Sequence, residues 1–430
     1  MKKIVPLSVL VCTLTLQLQA NDIKEQKEQI VSVEKNISSM RSVPHKEIDV
    51  VSGLQHMFSD GKVTGQIRSM MSAYDNKTYQ SVLTTAVGGS LKYELAEYKG
   101  LSAGVTFHSS NDITVLSAKG TKRNTDLSST QKEYEVRSET YLNYSYDAFN
   151  VRIGRQILDT PLADSDDIAM VPNSFKAGVV SYKNEDLHVT LGVLKSWQGC
   201  DADLDGSWQK TGKDSTYFVG MTYAYDTLEA NLWFYNINGE AGDMTANNSF
   251  YIDVANEFQF NDSRSLHVGL QYLKQNELDE SGVSANIFGI TTEFVIDDFG
   301  LNFSYNHAGK ESAKQSFSGF GGGTLFTSMD SMILDTITYD RSVNAYVAGI
   351  NYTMDNFNFL YAYGDFKGNT DSSGVKAEIT EHNFGVEYSK TDDFSLAVIY
   401  TLDNDKYDNS QNGANGGDWR NLRIFGAYNF

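Results

Sequence analysis

The segment that decides the fold is the run of twelve residues Trp419-Arg-Asn-Leu-Arg-Ile-Phe-Gly-Ala-Tyr-Asn-Phe430. Taken in steps of two, one face is mostly apolar and ends on aromatic side chains: Leu422, Ile424, Gly426, Tyr428 and Phe430. The other face carries an arginine and two amides: Asn421, Arg423, Phe425, Ala427 and Asn429. A period of two predicts a β-strand with one apolar and one polar side. A closing strand that ends on phenylalanine is typical of an outer-membrane β-barrel, whose apolar side faces lipid.

The N-terminal fifty residues divide into two segments. Two lysines at positions 2 and 3 precede an apolar stretch and a cleavage-like Leu18-Gln19-Ala20, so residues 1–20 are predicted to be a secretory signal peptide. Residues 21–53 are polar and charged, and we expect a periplasmic lead-in of unassigned function. The barrel is expected to occupy residues 54–430.

Composition supports a barrel and excludes other classes. Only 40% of the residues are hydrophobic, whereas 12% are aromatic, as the interface girdles of a barrel require. Beyond the signal peptide, no segment has the roughly 18 apolar residues of a membrane-spanning helix, and a closed barrel is the other fold that satisfies every backbone group in lipid. A formal net charge of −20 argues against nucleic acid as a partner. The predicted class is all-β, a transmembrane antiparallel β-barrel.

The spacing of turns predicts about eighteen strands between residue 61 and Phe430, with sixteen or twenty as alternatives. Leu301, Phe303 and Tyr305, for example, alternate with Asn302, Ser304 and Asn306. Turns of a few residues alternate with long polar connections, as expected for periplasmic turns and external loops. The long connections are 110–132, 158–173, 198–214, 239–247, 310–340, 367–377 and 405–418. We expect stability to come from ladder closure and the lipid-facing side chains, not from a packed core.

The third external loop, 158–173, combines polar and apolar features. It contains Pro161 and Pro172, an apolar Ile168-Ala-Met-Val171 cluster, and four aspartates: Asp159, Asp164, Asp166 and Asp167. A loop surrounded by water has no use for that cluster, so we expect the loop to fold into the lumen and pack on the wall. The alternative is an external loop packed on its neighbours.

Three stretches resemble the OprD-type outer-membrane porins. The first is Gly154-Arg-Gln…Asp159-Thr-Pro-Leu162…Asp167-Ile168…Pro172-Asn-Ser-Phe175. The others, 57–68 and 326–335, are similar to the forms in ε-proteobacterial relatives. The resemblance implies an eighteen-stranded channel narrowed by its third and seventh external loops, 158–173 and 310–340. It departs at Ala169, where the family usually has an arginine.

The resemblance and the strand parity together predict a charged lumen. Loop aspartates would form the constriction: Asp159, Asp164, Asp166, Asp167, Asp330 and Asp335. Basic residues that parity directs inward would form the wall: Arg68, Lys92, Arg137, Arg152 and Arg423. Family members use such arginines to guide carboxylate-bearing solutes. The alternative is an ordinary solvated lining, because charges avoid the lipid face whatever the function.

One acidic motif suggests an ion site. Asp201, Asp203 and Asp205 with Gly206 match the first half of a calcium loop, but Gly212 stands where the bidentate glutamate is needed. A weak Ca²⁺ site in this loop and a plainly solvated acidic loop remain the two alternatives. We expect no other cofactor.

The function that follows is a passive outer-membrane porin for small polar solutes, most plausibly carboxylates. A general porin and a structural or adhesive surface barrel are the alternatives; without a catalytic constellation, we do not expect an enzyme. Expected partners are outer-membrane lipid and lipopolysaccharide, the barrel assembly machinery through Phe430, and the solutes. The sequence leaves monomer and homotrimer open.

Overall fold

The computed structural model describes residues 50–76, 81–119, 127, 133–202, 207–239, 245–391, 393–407 and 418–430. Its wall consists of eighteen antiparallel strands, as predicted. In chain order, β1 to β18 are Lys62–Asn76, Val82–Glu94, Leu101–Asp112, Glu133–Tyr146, Phe149–Gln156, Ser174–Lys183, Leu187–Gln198, Thr216–Tyr225, Leu228–Ile237, Asn247–Asn261, Arg264–Glu277, Ala285–Ile296, Phe299–Ala308, Val343–Met354, Phe357–Gly368, Ala377–Thr391, Phe394–Asp405 and Trp419–Asn429. The predicted signal peptide and most of the lead-in lie outside the described residues.

The sheet closes on itself through its first and last strands. Gln66 pairs with Asn429 at one end of this ladder and Asn76 with Trp419 at the other. Gly65 and Phe430 extend the ladder by exchanging backbone hydrogen bonds of 2.9 and 3.0 Å. A closed barrel leaves no strand edge unpaired, which is what a lipid environment demands.

The predicted alternation holds around the wall. Leu301 and Phe303 are 46% and 48% exposed on the outside, whereas Asn302 between them is 5% exposed and faces inward. In β18, Tyr428 is exposed and Ala427 is buried. The apolar face of each strand therefore forms the outer surface, and the polar face lines the lumen.

A helix precedes the wall. Val50–Ser59 is α-helical, and Tyr93 of β2 donates a 2.7 Å hydrogen bond to the Phe58 carbonyl at its end. Among the described residues, no helix is long and apolar enough to cross a membrane.

The interior contains a packed core, to which the sequence analysis assigned no part in stability. A cluster of buried side chains joins the inner faces of β6 to β16 to the two long loops that follow β5 and β13. Phe175, Tyr235 and Phe366 are fully buried within it. The inward packing of the loop after β5 was expected, but the loop after β13 adds further apolar side chains over the inward-facing aromatics, and strand parity does not indicate these.

Candidate functional site

Loop 3 (residues 157–173) lies across the lumen. Asp159–Thr160 and Ala163–Asp164 form a short hairpin whose tip carries Leu162, which is 1% exposed. The backbone N–H of Leu162 donates to the Tyr235 hydroxyl of β9 at 3.3 Å. Further along the loop, Met170 and Val171 are buried against a second cluster on β1, β2 and β18. The loop thus contacts both sides of the barrel interior.

Loop 7 (residues 309–342) is joined to the tip of loop 3. Phe320 donates its backbone N–H to the Leu162 carbonyl, and its own carbonyl accepts from the N–H of Asp164, both at 3.0 Å. Gly319 has a φ of 101°, and a Cβ at this position would lie 2.8 Å from the Cα of Leu162. The glycine therefore permits a backbone approach that a side chain would block.

Three inward-facing amides hold loop 7 against the wall. Gln275 donates to the Phe317 carbonyl at 3.0 Å and accepts from the Phe317 N–H at 2.8 Å. Gln271 donates to the Thr324 carbonyl at 2.8 Å, and Asn306 accepts from the Thr327 N–H at 3.0 Å. These three amides were not among the predicted site residues. Their inward parity next to a long loop was the signal that could have identified them.

The wall residue Arg68 binds loop 3. Its guanidinium forms a two-pronged ion pair with the Asp167 carboxylate and donates to the Ala169 carbonyl at 2.9 Å. The Arg68 side chain is 4% exposed and the Asp167 side chain 23% exposed. Such a bidentate pair fixes orientation as well as position. The structure brings these two predicted residues together, and the contact fastens the loop to β1.

Arg423 makes the corresponding contact with loop 7. Its guanidinium pairs with Asp330, whose side chain is 2% exposed. The backbone N–H groups of Ser331 and Met332 donate to the Glu381 carboxylate at 3.1 and 2.6 Å. Both loops are therefore fastened to the wall by a pair of an arginine and an aspartate.

Lys92 and Arg152 form a third basic group, and here no loop aspartate is involved. The Arg152 guanidinium lies 4.3 Å from the ring centroid of Tyr141, and the Lys92 ammonium lies 5.7 Å from it. Lys92 is 3.5 Å from the Glu94 carboxylate, and the side chains of these two residues are 30% and 39% exposed. These side chains remain open to the interior.

Arg137 does not belong to the lumen wall, so that prediction was wrong. The register between β3 and β4 shifts so that Thr106 faces Glu139 while Phe107 faces Arg137, which leaves Ser138 as the extra residue of a bulge. A bulge reverses the alternation beyond it. Ser138 and Glu139 are both buried, and Arg137 is exposed on the outer face beside Phe107.

Two acidic groups of loop 3 have raised pKa values. Burial raises the pKa of Asp164 to about 6, with smaller contributions from Asp159 and Asp201. Burial also raises the pKa of Asp166, followed by the charges of Asp201 and Asp164. In loop 7, burial raises the pKa of Asp335 to about 6. A carboxyl that is kept from water favours its neutral form, so these groups titrate near neutral pH.

The predicted calcium motif is only partly described. Asp203 and Asp205 lie outside the described residues, so the Ca²⁺ site remains a prediction. Asp201 accepts a 2.7 Å hydrogen bond from Asn173, and possible ligand atoms of Asp166, Cys200 and Asp201 lie within 4.8 Å of one another. A thiol is an unsuitable Ca²⁺ ligand, and burial raises the pKa of Cys200 well above its usual value.

Comparison with known proteins identifies relatives of the fold. No family model matches the chain, and no curated protein matches it by sequence. The crystal structure of Acinetobacter baumannii OccAB4 superposes with a TM-score of 0.71 at 16% identity over 86% of this chain and 98% of that one. Pseudomonas aeruginosa OpdK, determined with vanillate, gives 0.70 at 14% over 86% and 99%. A. baumannii OccAB2 gives 0.73 at 13% over 87% and 99%. The chain therefore has the transmembrane barrel fold of the OprD/Occ-type outer-membrane channels.

Proposed function

We propose that this protein is an outer-membrane diffusion channel for small polar solutes that carry a carboxylate. The observation that carries the proposal is a difference between the basic residues of the lumen: some are covered by the loops and others are not. Loops 3 and 7 pack on each other and on the wall, whereas Lys92 and Arg152 remain partly exposed to the interior. A solute would pass between the acidic loop 3 and these cations.

The electrostatic arrangement supports an anionic solute. Lys92 and Arg152 flank the Tyr141 ring, so a carboxylate approaching them meets two cations and a flat aromatic surface. Binding of this kind is strong enough to attract a solute and weak enough to release it. The OpdK structure with vanillate is consistent with this class. Assignment to an ε-proteobacterial branch remains a prediction from the 57–68 and 326–335 stretches.

The test is single-channel recording of the refolded protein in a planar bilayer, with added benzoate-type and aliphatic carboxylates. We expect small current steps that carboxylates block and that uncharged analogues of equal size leave unchanged. Large steps without block would indicate a general porin. If a correctly folded barrel gave no channel current, a structural or adhesive surface protein would be favoured.

A further inference from the structure

A group of cations occupies the outer surface of the barrel, outside the lumen. Arg137, Arg155 and Lys176 lie on the adjacent strands β4, β5 and β6, at positions whose neighbours along the chain face inward. Arg155 and Lys176 are register partners, and the Arg155 guanidinium donates to the Arg137 carbonyl at 3.5 Å. These three residues form what we call the outer basic patch.

Two members of the patch, Arg155 and Lys176, lie near the external ends of their strands. Arg155 is one residue from the end of β5, which leads into loop 3, and Lys176 is the third residue of β6. Trp208, from the fourth external loop, covers both cations, with its ring 5.1 Å from the Arg155 guanidinium and 4.4 Å from the Lys176 ammonium. Tryptophan prefers the level of the lipid headgroups, so the patch is placed at the outer interface.

Among the described residues, no acidic side chain is paired with the cations of the patch. Within the described part of the chain, no carboxylate lies within 4 Å of any of the three cations, and Glu135 is the acid on the same face of β4. The opposite side of the rim differs, since Lys406 is 2.9 Å from Glu378 and Lys367 is paired with Asp365. Three cations that repel one another on a lipid-facing surface form a favourable site for an anion.

A partly apolar groove leads away from Arg137. It is open to one side, has a volume of about 810 Å³, and combines the apolar side chains of Ile67, Leu91, Phe107 and Phe430 with the charged Glu135 and Arg137. The groove crosses β1 to β4 and reaches the C-terminal end of the chain, so it descends from the basic patch along the lipid-facing wall. An acyl chain has the shape and polarity to occupy it.

We propose that the outer basic patch binds a phosphate of the lipid A part of lipopolysaccharide, and that an acyl chain of the same molecule lies in the groove. Guanidinium and ammonium groups are the usual partners of phosphate, and the Trp208 ring holds two of them in place. The site takes no part in solute passage. The lipid-binding proposal and the channel function can therefore be tested independently of each other.

The experiment measures binding of purified bis-phosphorylated lipid A to the refolded protein in detergent, by native mass spectrometry and by thermal shift. The test variant is Arg155→Gln with Lys176→Gln, and the matched control is Lys367→Gln with Lys406→Gln on the balanced side of the rim. We expect lipid A to raise the melting temperature of the wild type and of the control. Retention by the test variant should fall roughly tenfold, as two charge-assisted contacts are lost.

Two further probes separate the sources of binding. Dephosphorylated lipid A should bind more weakly than lipid A, and inorganic phosphate should bind weakly because it lacks the acyl chain. Equal binding of dephosphorylated lipid A, or equal loss in both double variants, would overturn the proposal. If the test variant does not refold, the single variant Lys176→Gln replaces it, and retention of lipid A equal to that of the wild type by this folded variant would also overturn the proposal.

Discussion

Two pairs of basic residues inside the barrel differ in what holds them. Arg68 and Arg423 are bound by loop aspartates and are almost inaccessible, with side chains 4% and 16% exposed. Lys92 and Arg152 are arranged around Tyr141, and the Lys92 side chain is 30% exposed. The first pair is buried with its aspartates, whereas the second, in which Lys92 lies 3.5 Å from the Glu94 carboxylate, remains partly exposed to a passing solute.

The buried pair is therefore suited to fixing the loops, and the partly exposed pair is suited to selecting a solute. An arginine buried with its carboxylate contributes geometry, because removal of either partner leaves an uncompensated charge. A partly exposed cation contributes an electric field at modest cost in stability. Substitution of the first pair should therefore change pore size and stability together, and substitution of the second should change selectivity alone.

The largest effect is expected from removing the loop that Arg68 holds. Deletion of residues 160–170 takes away the hairpin tip and the buried Met170, and the open lumen should raise single-channel conductance severalfold. The control is deletion of residues 408–417, in the connection between β17 and β18. Unchanged conductance after the first deletion would show that loop 3 does not narrow the channel.

The next largest effect concerns the ion pair itself. Arg68→Ala leaves Asp167 with an unpaired charge, so we expect a loss of about 2–4 kcal/mol in the free energy of unfolding, reduced from a fully buried pair because Asp167 is 23% exposed. The measurement is urea unfolding in detergent micelles. Arg68→Met with Asp167→Leu should restore most of the stability. If Arg68→Ala were as stable as the wild type, the ion pair would not fasten the loop.

Most of the wall could be predicted from the sequence because period-two alternation is a local property. Asn302 and Phe303 point to opposite faces whatever surrounds them. Arg137 shows the limit of this reasoning: one extra residue, Ser138, inverts the parity, and nothing in the local pattern marks it. A bulge is defined by pairing with a neighbouring strand, which a single strand's pattern does not contain.

The site could be predicted only in part. Pro161 and the apolar cluster of loop 3 indicated an inward loop, and Arg68 was assigned to the wall by parity. The contact between Leu162 and Phe320 could not be predicted, because these residues are far apart in sequence and meet only after both loops enter the lumen. Which cations the loops would neutralise depended on that same tertiary arrangement.

A smaller effect is expected from the exposed pair. Lys92→Gln with Arg152→Gln should leave the melting temperature nearly unchanged and shift the reversal potential in a salt gradient toward cation selectivity. Block by carboxylates should weaken about fivefold, which corresponds to about 1 kcal/mol for a partly screened contact. Lys367→Gln on the outer rim is the control. If carboxylates block the double variant as well as they block the wild type, the solute does not pass these cations.

The smallest effect is the pH dependence of loop 3, which carries the opposite charge. Because the pKa of Asp164 is raised to about 6, its carboxyl is mostly neutral at pH 5 and ionised at pH 7.5. Cation selectivity should therefore increase as pH rises through this window, while the arginines of the wall keep their charge. A raised carboxyl pKa also means that its contribution to stability is fully present below its usual pKa and is lost as pH rises through about 6, so unfolding should become easier toward pH 7.5. Asp164→Asn should reduce both trends, and trends that persist in full in this variant would assign the titration to another group. If selectivity kept the same pH dependence with loop 3 deleted, the titrating group would lie outside this loop, and its acidic side chains would have no part in the pH-dependent discrimination.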